Sequence, residues 1–169
     1  TMLELYQAYA DYNRIMELVE QIVTTIATEV IGSMQVPNGE TVIDLTPPWT
    51  RLTVKDAVAQ YTGLARADVD DVAKLRTYAA THGILVPDDA PYGKVLIEVF
   101  EKTAEHRLVQ PTFITAYPVE VSPLARSSDT DPAIVDRFEL IVAGRELANG
   151  FSELNDPAEQ RGRFEMQLA

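Results

Sequence analysis

The stretch that decides the fold is "RFELIVAGRELANGFSEL", residues 137–154. Two runs of strand-forming residues flank the pair Ala143-Gly144. A glycine between two such runs is typical of the tight turn of a β-hairpin, where positive φ angles are needed. The sequence therefore predicts an antiparallel hairpin in which Ile141 lies opposite Glu146.

Two acidic side chains meet on one face of this predicted hairpin. Glu139, expected opposite Ala148, becomes a diagonal neighbour of Glu146, roughly 7–8 Å away at the backbone. Two carboxylates at that separation can hold a divalent cation, in particular magnesium bridged to phosphate oxygens. The alternative is that both acids belong to the solvated face of an antiparallel strand. The spacing alone leaves both interpretations open.

The polar residues further along the second strand have the opposite parity. Asn149, Phe151 and Glu153 share a face with one another but not with Glu146. If all four serve one pocket, the strand must contain a bulge. We expect the bulge at Asn149-Gly150, because glycine adopts the required backbone conformation at little cost.

Composition limits the class of protein. The 169 residues are 46% hydrophobic, enough for one domain with a real core. The absence of cysteine excludes disulfides and thiolate zinc sites. A net charge of −12 gives the chain no electrostatic footprint for holding nucleic acid by itself. No segment resembles a signal peptide or a membrane span, so we expect a cytoplasmic protein.

The remaining elements follow from hydrophobic periodicity and from turn residues. The pattern predicts strands at 2–9 and 41–45, helices at 11–31, 53–62, 68–82 and 92–107, an extended edge or loop segment at 112–123, strand-like residues at 137–155, and a final helix with Asp156 as its N-cap. A helical middle inserted between sheet segments makes the fold class α+β.

Several stretches together resemble the bacterial lysyl-tRNA synthetases of class II. They are "GRELANGFSELND" (144–156), preceded by "DRFEL" (136–140), then "TFITAYPVEVSPLAR" (112–126), and "TMLELYQAYADY" (1–12), which is similar to the end of that family's motif 2 strand. The resemblance runs from Thr1 to Ala169. It implies part of the class II antiparallel-sheet catalytic domain with a helical insertion. Residues 1–12 would be the motif 2 strand, about 13–110 a mostly helical segment, and about 111–169 the active-site strands with the start of the next helix.

The resemblance also implies a reaction. Lysine and ATP give lysyl-adenylate, and the lysyl group then passes to tRNA(Lys), with Mg²⁺ as cofactor and a homodimer as the full-length enzyme. Carried over by position, Glu139 and Glu146 match the acids that bind magnesium on the ATP phosphates.

The lysine site is carried over in the same way. Glu153 matches the acid that reads the ε-ammonium of the substrate, with Tyr6 beside it and Glu4 on the same strand face. Asn149 matches a residue that holds the carboxylate end of the amino acid, and Phe151 matches one that packs along its aliphatic stem. A carboxylate–ammonium pair discriminates strongly against uncharged side chains.

The chain departs from the family pattern at its ends. The arginine of motif 2 and the adenine-stacking Phe would lie before Thr1, and the arginine of motif 3 would lie beyond Ala169. Arginine clamps stabilise the charge that develops on phosphate. We therefore expect a fragment that does not activate lysine by itself.

Three rival interpretations remain. The aspartyl and asparaginyl enzymes share the hairpin acids, but their next segment is rich in glycine and arginine, whereas this chain has Glu153. The paralogue that attaches a lysine derivative to elongation factor P has His where this chain has Ser152, and "SPLAR" (122–126) also favours the synthetase. The third is a synthetase-derived binding domain without catalysis.

Overall fold

Helices and strands follow one another in runs in a computed structural model that describes residues 1–168. The helices are α1 (Tyr12–Ile26), α2 (Val54–Thr62), α3 (Arg66–Val69), α4 (Val72–Thr81), α5 (Tyr92–Thr103) and α6 (Pro157–Leu168). The strands are β1 (Gln35–Asn38), β2 (Thr41–Asp44), β3 (Thr50–Thr53), β4 (Thr112–Pro118), β5 (Ile134–Val142) and β6 (Arg145–Phe151). A π-helical segment, Ala27–Ile31, extends α1. Within this described part, no helix is both long and apolar enough to cross a bilayer.

Four of the strands form the sheet that carries the candidate site. Their order is β3-β4-β5-β6, with β3 parallel to β4 and the other pairs antiparallel. The first two strands form a separate antiparallel pair. Helices α2 to α5 lie in the chain between β3 and β4. This arrangement confirms the predicted α+β class with a helical middle.

Different helices cover the two faces of the sheet. Phe113 and Phe138 lie on one face, where they pack with Met16 of α1. Ile141 lies on the opposite face and belongs to a second core cluster with Phe100 of α5. Each of these five side chains is at most 2% exposed, and burial of a side chain of this size contributes about 1.5–3 kcal/mol. We call the two sides the α1 face and the α5 face.

The helix starts agree with the predicted capping residues. The Thr53 hydroxyl accepts a hydrogen bond from the Asp56 N–H at 3.1 Å and donates to the Asp56 carboxylate at 2.6 Å. The Asp156 carboxylate accepts from the Ala158 N–H at 2.8 Å, with Pro157 as the first residue of α6. These contacts satisfy N–H groups that have no partner inside the helix.

The predicted strand at residues 2–9 is wrong. Residues 1–7 are neither helix nor strand, and Tyr9 turns the chain with a φ of 57°. An extended segment becomes a strand only when a neighbour pairs with its backbone, and no described strand lies beside this one. The segment is instead fixed where α1 begins, since the Tyr12 N–H donates to the Ser152 hydroxyl at 3.1 Å.

The predicted helix at 68–82 is divided into α3 and α4. The division falls at Asp70 and Asp71, and the Asp71 carboxylate accepts from the Ala73 N–H at 2.9 Å. A short acidic side chain competes for backbone donors and so starts a new helix more readily than it continues one.

The segment 112–123 is not confined to an edge as predicted. Thr112 to Thr115 pair with β3 on one side and β5 on the other, so this half of β4 is internal. Pro118 lies beyond the end of β3 and pairs only with β5. Proline has no N–H to donate, and this is tolerated at Pro118 because only one side of β4 is paired with a described strand there.

Candidate functional site

The β5–β6 hairpin confirms the predicted turn and corrects the predicted register. Ala143 and Gly144 form the turn with φ angles of 53° and 69°, and Ile141 pairs with Glu146. Glu139 does not lie opposite Ala148. It pairs with Asn149, because β6 contains one extra residue between Glu146 and Ala148.

The extra residue is Leu147, so the bulge lies earlier than the predicted Asn149-Gly150. In a regular ladder, Asn149 would lie opposite Phe138 on the apolar α1 face. With the bulge, Gly150 lies there instead. A Cβ atom on Gly150 would approach the Phe138 ring to 2.6 Å and Ile15 to 3.4 Å. Packing of α1 therefore leaves room only for glycine, and the bulge supplies it.

The bulge gathers the predicted site residues on the α5 face. Residues that pair directly in an antiparallel ladder share a face, and alternate residues along a strand do so too. The pairs Ile141–Glu146, Glu139–Asn149 and Arg137–Phe151 therefore all point the same way. The strand does contain a bulge, and it puts Glu146, Asn149 and Phe151 on one face, which a regular strand would not do.

Glu139 is held by a neighbour that the sequence analysis missed. Arg137, two residues earlier on the same face, forms an ion pair with the Glu139 carboxylate, and the two side chains are only 17% and 14% exposed. The same guanidinium donates to the Ser122 hydroxyl at 2.7 Å and lies 4.6 Å from the centre of the Tyr117 ring. The i, i+2 spacing within "RFE" was the available signal, since alternate residues of a strand are neighbours.

A small cavity of about 160 Å³ lies beside Glu139, between α5 and the sheet. Glu101 and Glu105 line it from the helical side and Tyr117 from β4. The bulge at Ala116, which has a φ of 56°, turns Tyr117 to this side. The tyrosine hydroxyl is buried, and the nearby Glu139 raises its pKa, but among the described residues it makes no hydrogen bond within the usual distance and angle limits.

Crowded carboxylates shift the protonation of this region. Burial raises the pKa of Glu139, and the negative charge of Glu146 raises it further, although Arg137 acts in the opposite direction. Burial also raises the pKa of Glu105, with added contributions from Glu101, Glu139 and Glu146. Both effects disfavour the charged carboxylate. A cation bound here would lower these pKa values, because a positive charge favours the charged carboxylates.

Glu4 and Tyr6, the two predicted site residues of the N-terminal segment, contact each other. The Tyr6 hydroxyl donates to the Glu4 carboxylate at 2.7 Å, and both side chains are exposed. This hydrogen bond raises the pKa of Tyr6, and the charge of Glu153 adds to the rise. No hydrogen bond joins Tyr6 to Glu153 in the described part of the chain, and the strand that was expected to carry Glu4 and Tyr6 does not form.

The carboxylates of this site could supply only part of the coordination shell of a magnesium ion. Among the described residues, no group of three or more acidic or histidine side chains is arranged to hold a metal ion. Glu139 and Glu146 supply two carboxylates on one face. Magnesium typically keeps several waters and takes one or two protein carboxylates together with substrate phosphates. The two glutamates match that smaller requirement.

The chain is similar to known proteins over its whole length. The family model described as "tRNA synthetases class II (D, K and N)" matches residues 1–169. A lysine–tRNA ligase of Psychromonas ingrahamii is 51% identical over 170 residues, which cover all of this chain and 33% of that protein. A lysine–tRNA ligase of Staphylococcus aureus strain MRSA252 is 52% identical over 170 residues, covering all of this chain and 34% of that protein. The chain thus spans about a third of the length of the curated relatives it matches.

Proposed function

The chain belongs to the class II tRNA synthetases (D, K and N), and from that premise we propose that it is part of the catalytic domain of a lysine–tRNA ligase. The proposed reaction joins lysine and ATP into lysyl-adenylate, releases pyrophosphate and transfers the lysyl group to tRNA(Lys). The observation that carries the proposal is the bulge at Leu147, which puts Glu146 and Asn149 on the face of Glu139. The same face of the hairpin then offers both a pair of acids for a metal and, where Asn149 and Phe151 are exposed, groups for an amino acid.

The lysine end of the site is assigned to the residues beyond the bulge. Glu153 accepts hydrogen bonds from the ε-ammonium, with Tyr6 and Glu4 beside it. Asn149 holds the carboxylate end of the lysine, and Phe151 packs along the four-carbon stem. An acid at the end of an apolar slot favours a cationic side chain over an acidic or amide one, because a desolvated ammonium needs a charged partner. The same acid argues against aspartate or asparagine as the substrate.

The ATP end is assigned to Glu139 and Glu146. Magnesium held by these two carboxylates would neutralise charge on the ATP phosphates. Arg137 donates to one oxygen of Glu139 and to the Ser122 hydroxyl, and the second oxygen of Glu139 is assigned to the cation. The positive charge of Arg137 lowers the pKa of Glu139 and so offsets part of the rise that burial causes. The protein's part is to hold two carboxylates apart on a rigid hairpin until the metal nucleotide binds.

The wider setting of the proposal follows from the family. Lysine, ATP and tRNA(Lys) are the proposed substrates, Mg²⁺ the proposed cofactor, a homodimer the proposed full-length assembly, and the cytoplasm the proposed location. Both relatives reported above are named lysine–tRNA ligases. That name favours the ligase over the paralogue acting on elongation factor P and over a non-catalytic derivative.

The test is ATP–pyrophosphate exchange by the product of the complete reading frame that encodes this chain, with each amino acid offered in turn. We expect exchange with lysine and with no other standard amino acid. No exchange with lysine, in a folded preparation that binds ATP, would contradict the ligase assignment. A parallel assay of the 169-residue chain tests the separate expectation that this stretch alone is inactive.

A further inference from the structure

One cation of helix α6 is buried within a shell of oxygen atoms. Arg163 is 4% exposed. Its Nη1 donates to the carbonyl oxygens of Ser122 (3.1 Å), Pro123 (3.4 Å) and Ala125 (2.5 Å), and its Nη2 donates to the Ser127 hydroxyl (2.7 Å) and the Glu159 carboxylate (2.5 Å). A guanidinium presents its donors in a flat, fixed fork, and here one nitrogen serves the backbone of a loop and the other serves side chains. We call residues 122–127 the clamped loop.

The clamped loop is the ladder partner of the segment that follows β6. Ala125 lies opposite Glu153 in an isolated antiparallel bridge. Two backbone hydrogen bonds flank that bridge, from Arg126 N to Ser152 O at 2.8 Å and from Leu154 N to Leu124 O at 3.0 Å. Glu153 lies past the last residue of β6, Phe151. Its backbone position therefore depends on the loop as well as on the sheet.

We propose that Arg163 is a positioning residue for Glu153, acting through the carbonyl of Ala125 in the clamped loop; this rests on the proposed role of Glu153 as the group that reads the lysine ammonium. The guanidinium fixes the loop, the loop fixes the backbone of residues 152–154, and that backbone sets where the Glu153 carboxylate meets the substrate. Arg163 itself does not touch the substrate.

The clamped loop also connects to the metal end of the site. Ser122 is buried; its carbonyl accepts from Arg163 and its hydroxyl accepts from Arg137, the residue paired with Glu139. Arg137 does not reach Ala125 or Glu159 among its hydrogen bonds. The two arginines share Ser122, but only Arg163 contacts Ala125 and Ser127, so loss of Arg163 removes the support of the Ala125–Glu153 bridge and leaves the ion pair between Arg137 and Glu139. This separation predicts an effect on lysine without an equal effect on ATP.

The experiment compares Arg163→Lys and Arg163→Gln with Arg161→Gln in the complete protein. Arg161 lies on the same helix, its side chain is 82% exposed, and its one ion pair, with Glu165, spans 3.9 Å. The first readout is the KM for lysine and the KM for ATP in pyrophosphate exchange. The second is hydrogen exchange of the backbone amides in 122–127 and 152–155, measured without substrates. The side chain introduced by Arg163→Lys keeps the positive charge, but its single ammonium cannot donate both to the backbone carbonyls of the loop and to the side chains of Ser127 and Glu159.

For Arg163→Lys we expect the KM for lysine to rise about 10-fold or more, the loss expected for a misplaced charged hydrogen bond. The KM for ATP stays within about 2-fold of the wild-type value, and Arg161→Gln changes neither. Amide protection falls at Arg126 and Leu154 but not in α5. If Arg163→Gln fails to fold, Arg163→Lys and Ser127→Ala, which removes one acceptor, carry the test.

Two outcomes overturn the proposal. One is a folded Arg163→Lys protein whose KM for lysine is unchanged and whose kcat is reduced. That result would mean that a smaller fraction of the protein is active, not that Glu153 is misplaced. The other is equal loss of amide protection in the clamped loop and in α5, which marks a role in general stability. If the wild-type protein shows no pyrophosphate exchange with lysine, the proposed function fails. Hydrogen exchange still tests the structural part of the proposal, because amide protection lost only at 122–127 and 152–155 would show that Arg163 positions this backbone and does not stabilise the whole fold.

Discussion

Glu139 and Asn149 lie directly opposite each other in the β5–β6 ladder, and they do so only because Leu147 is an extra residue in β6. If Leu147 instead paired with Leu140 in a regular ladder, Glu139 would face Ala148, and Asn149 would point at Phe138 on the face covered by α1. The relationship joins the two ends of the proposed site. Glu139 belongs to the metal end and Asn149 to the amino-acid end, and a single bulge places them side by side.

Neutralising Glu153 tests the reading of the substrate's charge. We expect Glu153→Gln to lower kcat/KM for lysine by on the order of 10² or more, since loss of one partner of a desolvated charge pair costs roughly 2–5 kcal/mol. The KM for ATP changes little. Glu165→Gln, an exposed acid on α6, is the matched control. Equal losses in the two variants would contradict the role of Glu153.

Removing either acid of the hairpin tests the metal end. We expect Glu139→Gln and Glu146→Gln to raise the Mg²⁺ concentration for half-maximal exchange about 10-fold, because a magnesium site with two carboxylates loses one of them. Glu40→Gln, at the exposed turn between β1 and β2, is the control. A lower rate at every Mg²⁺ concentration with the same half-saturation would argue against a metal-binding role.

Adding one methyl group at Gly150 tests the reason for the bulge. The new Cβ would approach the Phe138 ring to 2.6 Å, so we expect Gly150→Ala to lower the free energy of unfolding by about 1–3 kcal/mol. Gly162→Ala is the control. Nothing lies within 4 Å of its Cβ position in α6, and alanine there gains about 0.5–1 kcal/mol. Urea denaturation measures both, and a neutral Gly150→Ala would refute the packing argument.

Removing the buried hydroxyl of Tyr117 is expected to stabilise the fold, whereas most substitutions destabilise it. Among the described residues the hydroxyl has no hydrogen-bond partner within the usual distance and angle limits, so Tyr117→Phe removes the cost of burying a polar group and raises the free energy of unfolding by about 1 kcal/mol. Tyr92→Phe is the matched control, because the Tyr92 hydroxyl donates to the Val69 carbonyl at 3.0 Å. Its loss costs about 1 kcal/mol. Thermal unfolding that changed in the same direction for both would contradict this contrast.

The ion pair between Arg163 and Glu159 in α6 predicts a pH dependence of stability. Hydrogen bonds from Arg163 and Ser127 hold the pKa of Glu159 below its ordinary value of 4.5. A carboxyl group with a lowered pKa in the folded state stabilises the fold above its ordinary pKa, and that contribution is lost as the pH falls through the lowered value. The contribution is small, because the Glu159 side chain is 38% exposed.

The measurement is urea denaturation of wild type and Glu159→Gln from neutral pH to below 4.5. We expect wild type to be the more stable above the ordinary pKa and the difference to shrink at the acid end. Glu165→Gln, on the exposed side of the same helix, is expected to follow the wild-type curve. A wild-type advantage that stayed constant down to the lowest pH would contradict the assignment.

The sequence alone determined the elements whose signals are local. The apolar stripe of α1, the caps at Thr53 and Asp156, and the turn at Ala143-Gly144 depend on neighbouring residues, and each lies where the pattern predicted it. The seven candidate site residues were likewise named from the sequence, and the structure brings Glu139, Glu146, Asn149 and Phe151 to one face.

Tertiary structure decided what depends on partners distant in the chain. The bulge lies at Leu147 because α1 packs Ile15 and Phe138 so closely that only Gly150 fits between them. The segment at 2–9 has the strand pattern but no described partner strand, so its backbone stays outside the sheet. Side-chain alternation can be read along one strand, but register is a relationship between two strands and a packed face, which no single stretch of sequence contains.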